Sequence, residues 1–263
     1  MILDQFPQIR GVILDGDGVL WTDNRPIGNL PAIFARMQQI GLQITVATNN
    51  ATKTTAEHRL KLAGFGVNLE SWQVVSSSQA VGFYLQKKHP AGGPIYVVGD
   101  PSLVEALQEY GFQHTEDSSS GVLAVVAGLD HHLTYDRLRQ ACTLIRKGAE
   151  FIGTNPDRTF PTPQGLIPGA GSILAALEAA TDVRPVIAGK PSPALFELAM
   201  ARMHLEPGST LVVGDRLDTD IAGGQAVGCL TALMLSGVTP PEKVSSWKPA
   251  PTLVAANLEA LIG

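Results

Sequence analysis

Asp15 and Asp17 are the residues of this chain best suited to chemistry. They stand two apart in Asp15-Gly16-Asp17-Gly18, directly after the apolar run Val12-Ile13-Leu14, which reads as a short buried strand. Side chains alternate along a strand, so carboxylates two apart leave it on one face. The glycines remove bulk and let the backbone turn tightly beside a ligand. Two like charges this close repel unless a cation or a proton intervenes. That arrangement suits a divalent metal and an attacking carboxylate. Taken alone, the tetrapeptide fits a polar turn closing a strand equally well.

Three further clusters shift the balance. Thr48-Asn49-Asn50 follows Ile44-Thr45-Val46-Ala47, Lys190 follows Val186-Ile187-Ala188-Gly189, and Gly214-Asp215-Arg216-Leu217-Asp218-Thr219-Asp220 follows Leu211-Val212-Val213. Each lies just past the carboxyl end of a predicted strand, the edge where open α/β sheets bind ligands.

Strand and helix patterns alternate along the whole chain, which predicts an α/β fold: a doubly wound parallel sheet with helices on both faces. Pro31 to Ile40 reads as a helix stopped by Gly41. Thr54-Thr55-Ala56-Glu57 resembles a capping box opening a helix that ends near Gly64, and Ser192-Pro193 starts another to Met203. Thr48 and Lys190 lie 142 positions apart, too far for one crossover helix. The intervening stretch has strand patterns of its own at Ile95–Val98, Val122–Val126 and Phe151-Ile152, and helical patterns near 103–110, 135–147 and 171–180. The expectation is a core at residues 1–78 and 185–263 with an inserted α/β unit at 79–184. Glu116 to Gly121 reads as a Ser-rich surface loop, and Pro240 to Pro251 as an irregular connection.

The 263 residues are 44% apolar and 16% charged, which fits an ordered globular protein. Net charge is −5 with no basic run, so no nucleic-acid partner is expected, and an anionic substrate needs local positive charge from a metal or Lys190. Cys142 and Cys229 form no metal-ligand spacing and read as free thiols of a reducing compartment. Met1 to Arg10 lacks a basic region followed by an apolar stretch, so no signal peptide is expected and the chain reads as cytoplasmic. Ile221 to Val238 holds no charged residue but carries four glycines. It is read as a short helix, a turn at Gly228 and a strand from Cys229 to Leu235, not a membrane span.

The four clusters together resemble the motifs of the haloacid dehalogenase superfamily of phosphotransferases. Asp15-Gly16-Asp17-Gly18-Val19-Leu20 resembles its first motif, Thr48-Asn49-Asn50 the second, Lys190-Pro191-Ser192-Pro193 the third, and Gly214-Asp215 through Asp220 the fourth. The wording is most similar to the NagD-like, 4-nitrophenylphosphatase and phosphoglycolate phosphatase branch. Val19 stands where Thr is usual in the superfamily, and Val is common in that branch. The resemblance implies a Rossmann-like core with a large cap between the second and third motifs. It also implies a Mg²⁺-dependent phosphatase of small phosphorylated metabolites, and family members with such caps often form homodimers.

On matching positions, the resemblance implies that Asp15 attacks phosphorus and forms an aspartyl-phosphate. Asp17 protonates the leaving alkoxide and then takes a proton from water. Asp15, Asp215 and the backbone carbonyl of Asp17 hold Mg²⁺. Asp218 and Asp220 orient metal-bound waters, although Asp218 serves equally well as a helix N-cap. Thr48 and Asn49 donate to phosphoryl oxygens, Asn50 does the same or caps the next helix, and Lys190 supplies positive charge. Asn155, Arg158 and Phe160 lie in Asn155-Pro156-Asp157-Arg158-Thr159-Phe160-Pro161, which resembles the cap's substrate-facing loop; ordinary surface or packing roles fit Arg158 and Phe160 as well. The histidines, among them His114, His131 and His132, are expected to be solvated loop residues. Two rival readings are a dehalogenase or phosphomutase on the same scaffold and a non-enzymatic receiver-like domain storing phosphate on Asp15.

Overall fold

The computed structural model describes residues 5–116, 121–162 and 164–263. Most of the Ser-rich stretch at 117–120 therefore lies outside the described residues. The chain divides into two compact units. One comprises Met1–Thr48, Thr55–Val75 and Lys190–Gly263, and the other Asn49–Thr54 and Ser76–Gly189.

The first unit is built on a six-stranded sheet in the order Leu253–Ala255, Leu230–Met234, Thr210–Gly214, Gly11–Leu14, Gln43–Thr48, Val74–Ser76. Gly11–Leu14 lies in the middle and pairs in parallel with Gln43–Thr48 on one side and Thr210–Gly214 on the other. Its run of Val12, Ile13 and Leu14 is buried on both faces, as a central parallel strand requires. After Gly11–Leu14 the chain builds outward to one side, and it later returns to build on the other. The carboxyl end of this strand is thus the topological switch point, where a crevice opens.

Helix Leu30–Gln39 shows how sequence pattern becomes packing. Asn29 caps it by accepting from the Ala32 N–H at 3.2 Å. Leu30, Ile33, Phe34 and Met37 form its buried stripe at the spacing of one helical face. They join Val12, Leu14, Ile44, Val46, Leu211 and Val213 in one apolar core. Each such side chain contributes about 1.5–3 kcal/mol by leaving water. Gly41 at φ 79° ends the helix in a conformation that disfavours a β-carbon.

The second unit carries a five-stranded parallel sheet in the order Val186–Ile187, Glu150–Gly153, Ala124–Ala127, Gly93–Val98, Phe112–His114. Helices Ser77–Lys88, Pro101–Gln108, Tyr135–Arg146 and Ala170–Thr181 belong to it. An antiparallel hairpin of Thr159–Thr162 with Gly165–Pro168 precedes the last of them. Val186–Ile187 pairs with Glu150–Gly153, and Ile187 packs against the Tyr96, Phe151 and Leu174 core. This unit therefore runs to Gly189, past the 184 suggested by the sequence.

Ile221 to Val238 splits into helix Ala222–Ala226, a turn at Gly228 with φ 80°, and strand Leu230–Met234. Among the described residues no helix is long and apolar enough to cross a membrane. The stretch expected to be irregular after Pro240 holds a one-turn helix, Pro241–Val244.

Candidate active site

The Asp15 loop is shaped by backbone bonds. The Asp15 N–H continues the strand ladder to Val213 O at 2.9 Å. The Leu20 and Trp21 N–H groups then both donate to Gly16 O, and the Gly18 N–H donates to Trp21 O at 2.7 Å. Two glycines are required here for different reasons. A β-carbon on Gly16 would lie 2.4 Å from the buried Trp21 ring, and one on Gly18, at φ 79°, would lie 2.4 Å from Asp215 Oδ2. The Asp17 side chain is exposed, and its Oδ1 accepts from Trp21 Nε1 at 2.8 Å.

Lys190 anchors the centre. It is only 3% exposed, and its Nζ donates to Asp15 Oδ1 at 2.6 Å, to Asp220 Oδ1 at 2.6 Å and to Ala47 O at 3.3 Å. An ammonium has three protons, so every one is engaged. Asp220 Oδ2 accepts the Arg216 N–H at 3.1 Å. Asp215 Oδ2 accepts the Val238 N–H at 2.7 Å, while Ser236 Oγ donates to Gly18 O at 2.7 Å. The segment Ser236-Gly237-Val238 thus holds both the Gly18 carbonyl and the Asp215 carboxylate. A β-carbon on Gly237 would sit 2.0 Å from Asp215 Oδ2. Sequence reading missed this segment because it holds no group that does chemistry.

One carboxylate oxygen from each of Asp15, Asp215 and Asp220 falls within 4.8 Å of the others. The three are largely buried, with a single lysine among them. Burial pushes the Asp15 carboxyl well above the ordinary range; Lys190 pulls it back, and Asp220 and Asp215 push it further up. Burial likewise raises Asp215 to about 6, against the opposing Val238 hydrogen bond. For Lys190 burial alone would lower the pKa, but Asp15 and Asp220 outweigh it and the net shift is upward. Three carboxylates against one ammonium leave excess negative charge in a low-dielectric place. A hard divalent cation held by oxygen ligands meets that demand, so the donor set fits a metal.

The remaining sequence expectations divide. Thr48 ends its strand buried. Asn50 Oδ1 accepts from both the N–H and the hydroxyl of Thr52, at 2.9 and 2.8 Å. Those bonds close a local turn ahead of helix Thr55–Gly64. Asn49 O accepts from Ser77 Oγ and Asn155 Nδ2. Asp218 stands apart from the three carboxylates: its side chain is 67% exposed and faces Arg216 at 3.4 Å. Arg216 stands at the N-cap position of the turn Leu217–Ile221 and Ile221 at that of helix Ala222–Ala226, so Asp218 is the N-cap of neither. Arg158 is exposed, and its carbonyl accepts the Gly169 N–H and Ser172 Oγ. Phe160 is half-buried opposite Ile167 in the hairpin. His114 is not the solvated loop residue expected: it lies in a strand, half-buried, and accepts the Val97 N–H at 3.1 Å. His131 is an exposed turn residue, as expected, and its Nδ1 meets Asp100 Oδ2 at 2.6 Å.

Residues 12–113 match the haloacid dehalogenase-like hydrolase family, and residues 187–261 match the HAD-hydrolase-like family. The chain belongs to the haloacid dehalogenase-like hydrolases. Within that family it is NagD-like and of the phosphatase class. It is 33% identical over 258 residues to chronophin of Homo sapiens, covering 93% of this chain and 87% of chronophin. Among solved structures, NagD from E. coli K-12 superposes with a TM-score of 0.88 at 30% identity, covering 95% of this chain and 97% of NagD. A glycerol phosphate phosphatase from Mycobacterium tuberculosis, in complex with magnesium, superposes with a TM-score of 0.88 at 33% identity, covering 97% of this chain and 76% of that protein.

Proposed function

We propose that this hydrolase is a Mg²⁺-dependent phosphatase that cleaves small phosphate monoesters through an aspartyl-phosphate on Asp15. The observation that carries the reading is the buried bridge of Lys190 between Asp15 and Asp220, with Asp215 beside them. Uncatalysed phosphate monoester hydrolysis is among the slowest known reactions, so catalysis must lower its barrier by on the order of 20 kcal/mol or more. Most of that reduction comes from positioning and charge.

In the first step the Asp15 carboxylate forms a bond to phosphorus, and the bond to the ester oxygen breaks. Asp17 gives its proton to the departing alkoxide. Its Oδ1 takes the Trp21 N–H, which leaves Oδ2 as the atom that carries the proton. In the second step Asp17, now a carboxylate, takes a proton from water, and the hydroxyl oxygen bonds to phosphorus. The bond between the Asp15 oxygen and phosphorus breaks, inorganic phosphate leaves, and Asp15 and Asp17 return to their starting forms. Lys190 keeps Asp15 oriented and offsets negative charge. The Thr48 hydroxyl and the backbone N–H groups of Asn49 and Asn50 donate to the phosphoryl oxygens. The carboxylates of Asp15 and Asp215 would hold Mg²⁺, with the Asp17 carbonyl. When bound, the ion supplies positive charge to the anionic phosphoryl group.

Small phosphorylated metabolites are the substrate class. The chain acts in the cytoplasm as a homodimer.

The test is release of inorganic phosphate from 4-nitrophenyl phosphate, with and without Mg²⁺. Sustained turnover that needs the metal, and a loss on the order of 10⁴-fold in Asp15→Asn, are the expected results. A single stoichiometric labelling of Asp15 without turnover would point to a receiver-like domain. A folded Asp15→Asn protein with wild-type rates would end the covalent route.

A further inference from the structure

Asn155 has a task other than facing substrate. Its Nδ2 donates to Asn49 O at 2.6 Å, and Ser77 Oγ donates to the same oxygen at 2.7 Å. Both donors are buried. The Asp157 N–H donates to Asn155 Oδ1 at 3.3 Å; an N–H only donates, so it holds the amide oxygen on its own side and aims the NH₂ at Asn49. Two positions further on, Ser102 Oγ donates to Ala51 O at 2.8 Å. The short segment after Thr48 is therefore held by the first turn of helix Ser77–Lys88, the first turn of helix Pro101–Gln108 and the loop following Glu150–Gly153.

We infer that Asn155 and Ser77 are positioning residues for the phosphoryl-binding segment, acting together through the peptide that joins Asn49 to Asn50. The inference rests on the phosphatase reading above. A carbonyl oxygen has two lone pairs, and both are engaged here. A trans peptide is planar, so fixing that carbonyl turns the Asn50 N–H to the opposite side. Two donors on the carbonyl also polarise the peptide and make that N–H a stronger donor. Asn155 and Ser77 touch neither substrate nor metal in this account; they set the direction and strength of a backbone donor next to Thr48.

The test compares wild type, Asn155→Ala, Ser77→Ala and the pair on 4-nitrophenyl phosphate. Either single variant leaves one donor on Asn49 O, so each should lower kcat/KM about threefold. The pair frees the carbonyl and should lower it about 100-fold, well beyond the product of the singles. Inhibition by orthophosphate should weaken in the same order, which a general loss of stability does not produce. Thr181→Val is the control: it removes a buried hydrogen bond to Leu177 O in the same unit and should leave both kinetic constants and phosphate inhibition unchanged. A folded pair whose effects merely multiply, or whose phosphate inhibition stays at the wild-type value, overturns the inference. Should the pair not fold, Asn155→Asp keeps the shape but turns an acceptor toward the carbonyl, and wild-type kinetics there overturn it equally. Absence of turnover in wild type refutes the phosphatase reading instead, and orthophosphate binding by calorimetry across the same variants then decides the inference separately.

Discussion

The carboxyl edges of the two parallel sheets share an architecture and differ in charge balance. In the first unit Asp15, Asp215 and Asp220 gather around one lysine. In the second unit Asp100 is matched by His131, and Asp130 by Arg137 together with the His132 N–H. Each carboxylate of the second edge thus has its own partner, whereas the first edge keeps a surplus of buried negative charge. Topology provides the place for a ligand; unbalanced charge in that place is what demands a cation and makes chemistry available.

Exchanging carboxylates at the two edges is the sharpest way to break this contrast. Asp215→Asn should lower kcat/KM by about 10³-fold or more, since a fixed charge of the metal-binding set is lost. Asp100→Asn should change it less than threefold. Steady-state kinetics at saturating Mg²⁺ check both, and comparable losses would erase the distinction.

Removing the buried lysine should act on stability. Lys190→Met leaves Asp15 and Asp220 buried without their partner, a loss of about 3–5 kcal/mol measurable by urea unfolding without metal. Mg²⁺ should restore part of it. An unchanged midpoint would mean that the bridge contributes nothing.

The pH dependence follows from Asp215, whose folded pKa of about 6 lies above its ordinary value of 3.8. Between those values the folded state holds more protons than the unfolded chain. Metal-free stability should therefore fall as pH rises from about 4 to about 6, by up to about 1.4 kcal/mol per pH unit. Mg²⁺ should stabilise most above pH 6, where the carboxylate is ionised. Unfolding at pH 5 and pH 7, with and without metal, reads the sign directly.

The smallest effect expected at the first edge concerns Trp21. Trp21→Phe removes the donor to Asp17 Oδ1 and should lower kcat about threefold to tenfold. The loss should be larger for esters with poor leaving groups, and equal slowing for good and poor ones would detach Trp21 from the proton-transfer step.

Most of the first unit was readable in the sequence because its strands are continuous apolar runs ending in charged residues, such as Leu211–Val213 before Asp215. Helix Ser77–Lys88 escaped because its buried face includes Ser77, Ser78 and Gln79, which leaves no apolar stripe to detect. Val186-Ile187 was legible as a strand, but two residues carry no information about which sheet will pair with them. Trp21 is buried in the core, and only its Nε1 reaching Asp17 shows that it has a second use. Asp218 matched a motif position, yet its side chain turned to solvent because the wide turn Leu217–Ile221 points Asp220, not Asp218, at Lys190.

The stitch formed by Ser236 and Val238 has a practical result. Two bonds from a stretch with no acid, base or nucleophile tie Gly18 and Asp215 together. A single cut by a protease after Gly237 would leave every reactive group in the polypeptide and still disable it, because the frame that seats them would be gone.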